Sequence, residues 1–334
     1  MPCRDVTCRR AAAIAAGSLL FSLSAPAARA GDSFDLTPPA WMPADASAPA
    51  AAAGADAPVD TDPLTDYFAA WSDRIAHVRA TQPGWSSPLV TTTGLLEQRV
   101  RFDLAREQSG NGTGTTVLDN GKGVDLIVSD SNQVQIAAPP YYVRSGASTT
   151  TKGGQPIEPL AGLADWPFLR IEQRLASSPE SERDYVLTAW LQIVAPSGIA
   201  RLTGGAWQFL PTFAFGKGWG RFDVQGTLGA VLPVAQVNAI GHQVQTNIAF
   251  QYHVPPVFWP EVEVNSTYYA DGVRGGLNQI YLTPGLVVGR FALGERLQLT
   301  LGAGYQVALT PPYRAAPLTP AYNHAWLVSS RLNF

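Results

Sequence analysis

The residues that could act as nucleophiles, bases or metal ligands are few in this chain. Its histidines are His77, His242, His253 and His324, and its cysteines are Cys3 and Cys8. A hydrolase needs a serine and a histidine within hydrogen-bond reach, with an amide or carboxylate to orient the ring. Asn323, His324 and Ser329 share one stretch, but alternate residues of a strand face opposite sides, so His324 points away from the other two. His253 is expected to face inward, without a serine motif beside it. No spacing suits a metal ion, and no glycine loop suits a phosphate. Gly121-Lys122-Gly123 and Gly216-Lys217-Gly218 read as turns. The expectation is no catalytic residue, no metal and no cofactor.

What remains is charge, at regular spacing: Arg99, Arg101, Asp103, Arg170, Glu172, Arg174, Arg221, Asp223, Glu261, Glu263 and Arg331. Val100 and Phe102 alternate with Arg99, Arg101 and Asp103. Leu169, Ile171 and Leu175 alternate with Arg170, Glu172 and Arg174. The same period of two runs through 221–232, 244–253, 261–269 and 297–307, as in strands with one apolar and one polar face. If the apolar face met lipid, an outward Arg at the midplane would cost ~2–4 kcal/mol, so the charges must face a lumen.

The elements that would carry these residues are twelve strands near 95–107, 122–129, 133–144, 165–175, 183–194, 206–215, 221–232, 242–253, 257–270, 277–292, 296–309 and 322–334. Most run roughly 10–14 residues, against about 5–6 in soluble proteins and about 9–11 for a tilted membrane-crossing strand. Long and short connections alternate, as in a barrel with long loops at one end and tight turns at the other. Pro139-Pro140, Pro211 and Pro284 fall inside strands, where each removes a ladder donor. The predicted fold is all-β, a transmembrane antiparallel β-barrel of about twelve strands with a short N-terminal helix and a disordered linker.

Composition agrees. Only 15% of the 334 residues are charged, with 31 Gly, 27 Pro and 9 Trp. Lys and Arg total 23 against 26 Asp and Glu, a formal net charge of −3, too acidic for a polybasic nucleic-acid binder. No run of about 18 apolar residues follows residue 30, which excludes a bundle of membrane-spanning helices.

The first thirty residues have the layout of an export signal: Arg4, Arg9 and Arg10, an apolar stretch from Ala11 to Leu23, then Ala28-Arg29-Ala30. Both cysteines leave with it. Residues 31–61 are dominated by Ala, Pro, Asp and Ser and read as a disordered linker. Residues 62–94 form a helix and lead-in, with Leu64, Tyr67, Phe68, Trp71, Ile75 and Val78 at helical spacing and Pro83-Gly84 as a stop. The helix is expected to pack on the main domain, a plug in a lumen or a partner-binding helix being the sharper alternatives. The barrel occupies 95–334.

The chain ends on a strand whose alternate positions include Trp326, Leu332 and Phe334, an aromatic at the terminus itself. Such an ending resembles the C-terminal signal read by the barrel-assembly machinery of Gram-negative outer membranes. Trp166, Trp207, Trp219, Phe258, Trp259 and Phe291 lie near strand ends, where amphipathic rings settle at lipid–water interfaces. Trp190 falls on a polar face and is expected inside.

Several segments are more specific. Trp166-Pro167-Phe168-Leu169, the run Gly216 to Gly229, Phe258 to Asn265, Thr283 to Phe291, Tyr322-Asn323-His324, Gln82-Pro83-Gly84-Trp85 and Leu96-Glu97-Gln98 together resemble the MetA-pathway-of-phenol-degradation family. The resemblance covers roughly 64–334 and implies an outer-membrane transporter linked to aromatic catabolism. It brings no catalytic or binding residue.

The function expected is therefore an outer-membrane channel for small hydrophobic or aromatic compounds. Its partners would be outer-membrane lipid, the assembly machinery and a small permeant, with no nucleic acid. The alternatives are a barrel enzyme resembling a lipid hydrolase, and a structural or adhesion barrel presenting its loops. Inside, the mixed charges predict ion pairs across a narrow, filled lumen, with Arg101 and Glu263 deep and Arg331 nearer a rim. The alternative is a polar constriction that selects permeants.

Overall fold

The computed structural model describes residues 63–110, 112–146, 158–294, 296–310 and 322–334. The expected signal peptide and linker lie outside the described residues. Two short helices come first, α1 (Pro63–Ala69) and α2 (Trp71–Ala80), in place of the single helix expected, with a break at Ala70. Residues 81–98 have no regular secondary structure.

Among the described residues fifteen strands follow, in one antiparallel sheet. They are β1 (Arg99–Gln108), β2 (Gly114–Leu118), β3 (Gly123–Ile127), β4 (Asn132–Ala137), β5 (Tyr141–Arg144), β6 (Leu160–Leu163), β7 (Trp166–Ser178) and β8 (Tyr185–Ala195). Then come β9 (Gln208–Trp219), β10 (Phe222–Pro233), the short helix α3 (Val237–Ile240), β11 (Gln243–Tyr252), β12 (Phe258–Tyr269), β13 (Asn278–Ala292), β14 (Gln298–Ala308) and β15 (His324–Asn333). The last strand pairs with the first, from Arg99 opposite Asn333 to Gln108 opposite His324, and the sheet closes.

The closed ring has twelve positions, because three of them are each built from two strands. β2 and β3 both pair with β1, β5 and β4 take the next position, and β6 and β7 the one after. The breaks at Asp119–Lys122 and Pro139-Pro140 sit between these halves. Asp119 (φ 50°) and Gly121 (φ 69°) take left-handed conformations there, as a bulge demands.

Two expectations need correction. The second strand begins at Gly114, well before 122, because the turn residues Asp119-Asn120-Gly121 disguise one bulged strand as a loop and a shorter strand. The first connection, 109–113, is therefore short and breaks the expected alternation. Gly216-Lys217-Gly218 is not a turn either: it lies within β9, and the reversal falls at Gly220-Arg221.

The fold is inside-out relative to a soluble domain. Val100, Phe102, Ile171, Leu228, Leu301 and Val328 are exposed on the outer face. Arg99, Arg101, Glu172, Gln225, Glu263 and Arg331 are buried on the inner one. A mainly apolar exterior, with the exposed Arg106 toward the loop end of β1, over a polar interior is the arrangement lipid enforces, since nothing in hydrocarbon can satisfy a charge. The termini of the barrel and the turns 128–131, 179–184, 220–221, 253–257 and 293–297 share one end. The strand ends that flank 109–113, 145–159, 196–207, 234–242, 270–277 and 309–323 share the other.

Candidate functional site

The lumen at the turn end is not filled by charges meeting across it. It is filled by the chain's own residues 81–98, which enter from α2, reach inward to Leu89–Thr91 and return to β1. The neck of this loop is closed by one side chain: Gln82 Nε2 donates to Leu96 O at 2.8 Å, and Leu96 N donates to Gln82 Oε1 at 3.0 Å. Pro83, Trp85 to Leu89, Thr91 and Thr93 to Leu96 are all buried.

The inward charges hold this loop by its backbone. Glu263, 0% exposed, accepts from Val90 N at 2.7 Å and Thr91 N at 2.6 Å. Glu261 accepts from Leu89 N at 3.0 Å. From the opposite side Arg101 donates to the carbonyls of Pro88 and Leu89, and Arg331 to those of Ser87 and Pro88. Arg101 and Arg331 are cross-strand neighbours, a like-charge pair that repels unless acceptors are placed between them. The loop carbonyls and Asp103, which bonds Arg101 at 2.8 Å, provide those acceptors. Gln225 exchanges bonds with Thr93 (2.7 Å) and Ser86 O (2.9 Å), and Thr188 donates to Gly94 O at 2.5 Å.

Apolar sockets fix the register. Leu89 packs with Trp259 and Val287, and a Cβ on Gly285, Gly302 or Gly304 would overlap its side chain. Trp85 packs with Leu95 and Val186, over Gly216, where a Cβ would overlap the indole. Glycine in a strand interior weakens it unless something approaches closely, and here the loop does.

A second group of charges pairs along the wall. Asp125, fully buried on β3, takes Arg99 at 2.8 Å and Arg170 at 3.4 Å, and Arg170 Nε lies 3.1 Å from Glu172. Arg170 also stacks over Trp190, which faces inward. The expected pairing of Arg101 with Glu263 across the lumen is thus corrected: the loop lies between them and each binds it. Arg331 is corrected too, since it is buried against the loop. Arg174 is half-buried at the turn end, donating to Val78 O, Thr81 Oγ1 and Asp130 O. Asp223 is buried inside and accepts from Gln225 at 2.9 Å. Arg221 is exposed in the turn before β10 and does not line the lumen.

Beyond the loop tip the lumen continues as two cavities. A small one of about 80 Å³ lies between Leu89 and Val90 on one side and Asp103, Glu107, Lys122 and Tyr322 on the other. A larger one of about 240 Å³ opens toward the loop end, lined by Tyr142, Leu202, Leu210, Val231 and Ile240 with Gln245 at its polar edge. Asn120, on the bulge between β2 and β3, borders both.

Among the described residues, histidine and serine do not meet as a hydrolase would need. Ser329 Oγ donates to Asp103 at 2.7 Å, and His324 lies tilted against Tyr305, ring centroids 5.7 Å apart. His253 stacks on Trp259, ring centroids 4.5 Å apart. His242 bonds Asp271 at 2.6 Å outside the strands, and this, ahead of a bond from its backbone N–H, holds the Asp271 carboxyl below the usual range. Trp326 and Leu332 lie on the outward face of β15, and Phe334 directly follows that strand.

The class these features define is a closed twelve-stranded antiparallel barrel with a lipid-type exterior and a polar interior holding a re-entrant segment. No family model matches the chain, and no curated protein does, so the resemblance to the MetA-pathway family rests on its motifs alone. Among solved structures, the chain is similar to an outer membrane channel from Pseudomonas putida F1 at 15% identity, over 75% of this chain and 100% of that one, with a TM-score of 0.44. It is also similar to the NanC porin (6% identity, 70% and 98%, TM-score 0.41) and to an anion-selective porin from Comamonas acidovorans (11%, 74% and 90%, TM-score 0.28).

Proposed function

We propose that this protein is an outer-membrane channel closed by its own residues 81–98, which passes small hydrophobic or aromatic compounds when that segment withdraws. The observation that carries the reading is the manner of closure. The loop has no strand pairing with the wall and is held by side-chain bonds to its backbone and by the apolar sockets of Leu89 and Trp85, all reversible. It closes on itself at Gln82 and Leu96, so it can leave as a unit without disturbing the ring. A barrel meant only as a solid scaffold would fill its lumen from its own walls, as eight-stranded barrels do.

The permeant class is supported by the 240 Å³ cavity beyond the tip, where apolar side chains share the lining with amides, and by the family resemblance. With the turn end in the periplasm, as barrel termini are placed, the loop enters from the periplasmic side and the open cavity faces outward. The last strand, closing on β1 and presenting Trp326, Leu332 and the terminal Phe334, is proposed as the assembly signal.

The test is conductance in planar bilayers of the parent and of a variant in which 83–95 is replaced by two glycines, together with liposome swelling in small aromatic solutes. The parent should be nearly silent and the variant open to ions and solutes. Silence from both, in barrels shown to be heat-modifiable, would falsify the channel reading.

A further inference from the structure

α2 seats Val78 on Leu96 and Ile127 at the neck of the lumenal segment, with Ile75 packed beside them, and its rimward side lines a groove of about 850 Å³. One wall is Trp71 and Ile75 of α2; the other is Leu126, Leu297 and Phe334, at or beside the turn-end tips of β3, β14 and β15. Alternation places Leu126 and Leu297 on the outward face of the barrel, in line with the exposed Leu301, so this wall continues the lipid-facing surface. Among the described side chains lining the groove, two carry guanidiniums and one a carboxylate: Arg79, Arg296 and Asp73. Arg79 donates to Phe334 O at 3.0 Å and Arg296 to Ser72 Oγ at 2.9 Å, and each keeps further N–H donors of its fork.

We infer that this groove binds one phospholipid of the periplasmic leaflet, with an amine-bearing headgroup of the phosphatidylethanolamine type. An apolar trough at the membrane–water boundary suits the glycerol and the first acyl carbons, and Trp71 is the amphipathic ring such boundaries favour. Arg79 and Arg296 match the phosphate, for which guanidinium forks are suited. Asp73 opposes a purely anionic headgroup but pairs with a primary ammonium, and that selects the zwitterion. Because α2 runs directly into the neck of the lumenal loop, an occupied groove fastens the base of the gate. The inference rests on the membrane-channel reading above.

The experiment is native mass spectrometry of delipidated protein in detergent, titrated with dioleoylphosphatidylethanolamine, dioleoylphosphatidylcholine or inorganic phosphate. One phosphatidylethanolamine should be retained per barrel, displaced by neither phosphatidylcholine at equal concentration nor millimolar phosphate. Arg79→Gln with Arg296→Gln should weaken retention at least tenfold. Leu126→Gln, which leaves both guanidiniums in place and lies on the strand wall rather than on α2, should do the same by making the trough polar. Arg221→Gln, an exposed arginine of another turn, should leave retention as it was. Equal loss with Arg221→Gln, equal binding of phosphatidylcholine, or competition by phosphate would overturn the assignment. Each variant is scored only as a heat-modifiable barrel, and Arg296→Gln alone serves if loss of the Arg79–Phe334 bond prevents assembly. A protein that stays dispersed without detergent defeats the membrane reading itself; one that enters vesicles yet prefers no lipid defeats this inference alone.

Discussion

Two sectors of the lumen wall use the same residue types for different ends. Around β3 and β7, Asp125, Arg170 and Glu172 pair along the wall with Arg99, which alone of the four also reaches the lumenal segment, at Ser87 and Glu97. Across β12, β15 and β1, Glu261, Glu263, Arg331 and Arg101 turn instead to the backbone of 87–91. A buried charge must find a partner wherever it lies, and the two sectors differ only in what stands opposite. The first sector mainly ties wall strands to one another. On the proposed channel reading, the second holds something that can leave.

The largest effect that separates them comes from removing the loop. Replacing 83–95 by two glycines should raise conductance from near silence to that of an open pore. It should also strand Glu261, Glu263, Arg101 and Arg331 in a water-filled lumen, where they set ion selectivity while the barrel still migrates as a folded species. A closed pore in that variant would mean that the wall, not the loop, blocks passage.

Next in size is Asp125→Asn. It leaves Arg99 and Arg170 without their shared carboxylate, a loss on the scale of breaking a buried pair, about 3–5 kcal/mol. The heat-modifiability midpoint should fall while conductance stays low. Glu263→Gln should do the reverse. A charged acceptor of two backbone N–H groups contributes about 1.5–3 kcal/mol, so openings should become roughly tenfold to a hundredfold more frequent with little change in midpoint. Were both variants to lower the midpoint equally and leave the pore shut, the division into two sectors would be lost.

Gly302→Val sharpens the same point without touching a charge. A side chain there enters the space of Leu89, so the loop tip should be displaced and brief openings seen, scored in single-channel records against the parent. The smallest effect lies at the other end of the barrel. The Asp271 carboxyl is held low, chiefly by the hydrogen bond from the His242 ring. Its contribution is therefore complete above the ordinary carboxylate value of about 3.9 and fades as pH falls through the lower folded value. Exchange protection of 237–242 and 270–277, corrected for intrinsic rates, should hold down to about pH 4.5 and decline below about 3.9; Asp271→Asn should abolish that dependence.

Much of this architecture was legible in the residue order. A period of two over runs long enough to cross a bilayer identifies both the strands and their inward faces, because the pleat fixes side-chain direction within a single strand. Arg101, Asp223 and Glu263 could be placed inside from their apolar neighbours alone. Strand breaks were harder. Asp119-Asn120-Gly121 has the chemistry of a reversal, and only pairing with β1 on both sides of it shows that the chain bulges and goes on.

Pairing partners were beyond the sequence, and so was the loop. Nothing in Ser86-Ser87-Pro88-Leu89-Val90-Thr91 has a periodicity that marks a lumen. The one trace it left is on the wall: Gly216, Gly285, Gly302 and Gly304 fall on inward faces, too small to fill a barrel unless another part of the chain does. Local chemistry thus determined that this protein is a barrel with a charged interior, because strand geometry acts over neighbouring residues. What those charges hold was decided only by closure of the ring. That step brings β1 against β15 and sets Glu263 opposite a segment more than 170 residues earlier in the chain.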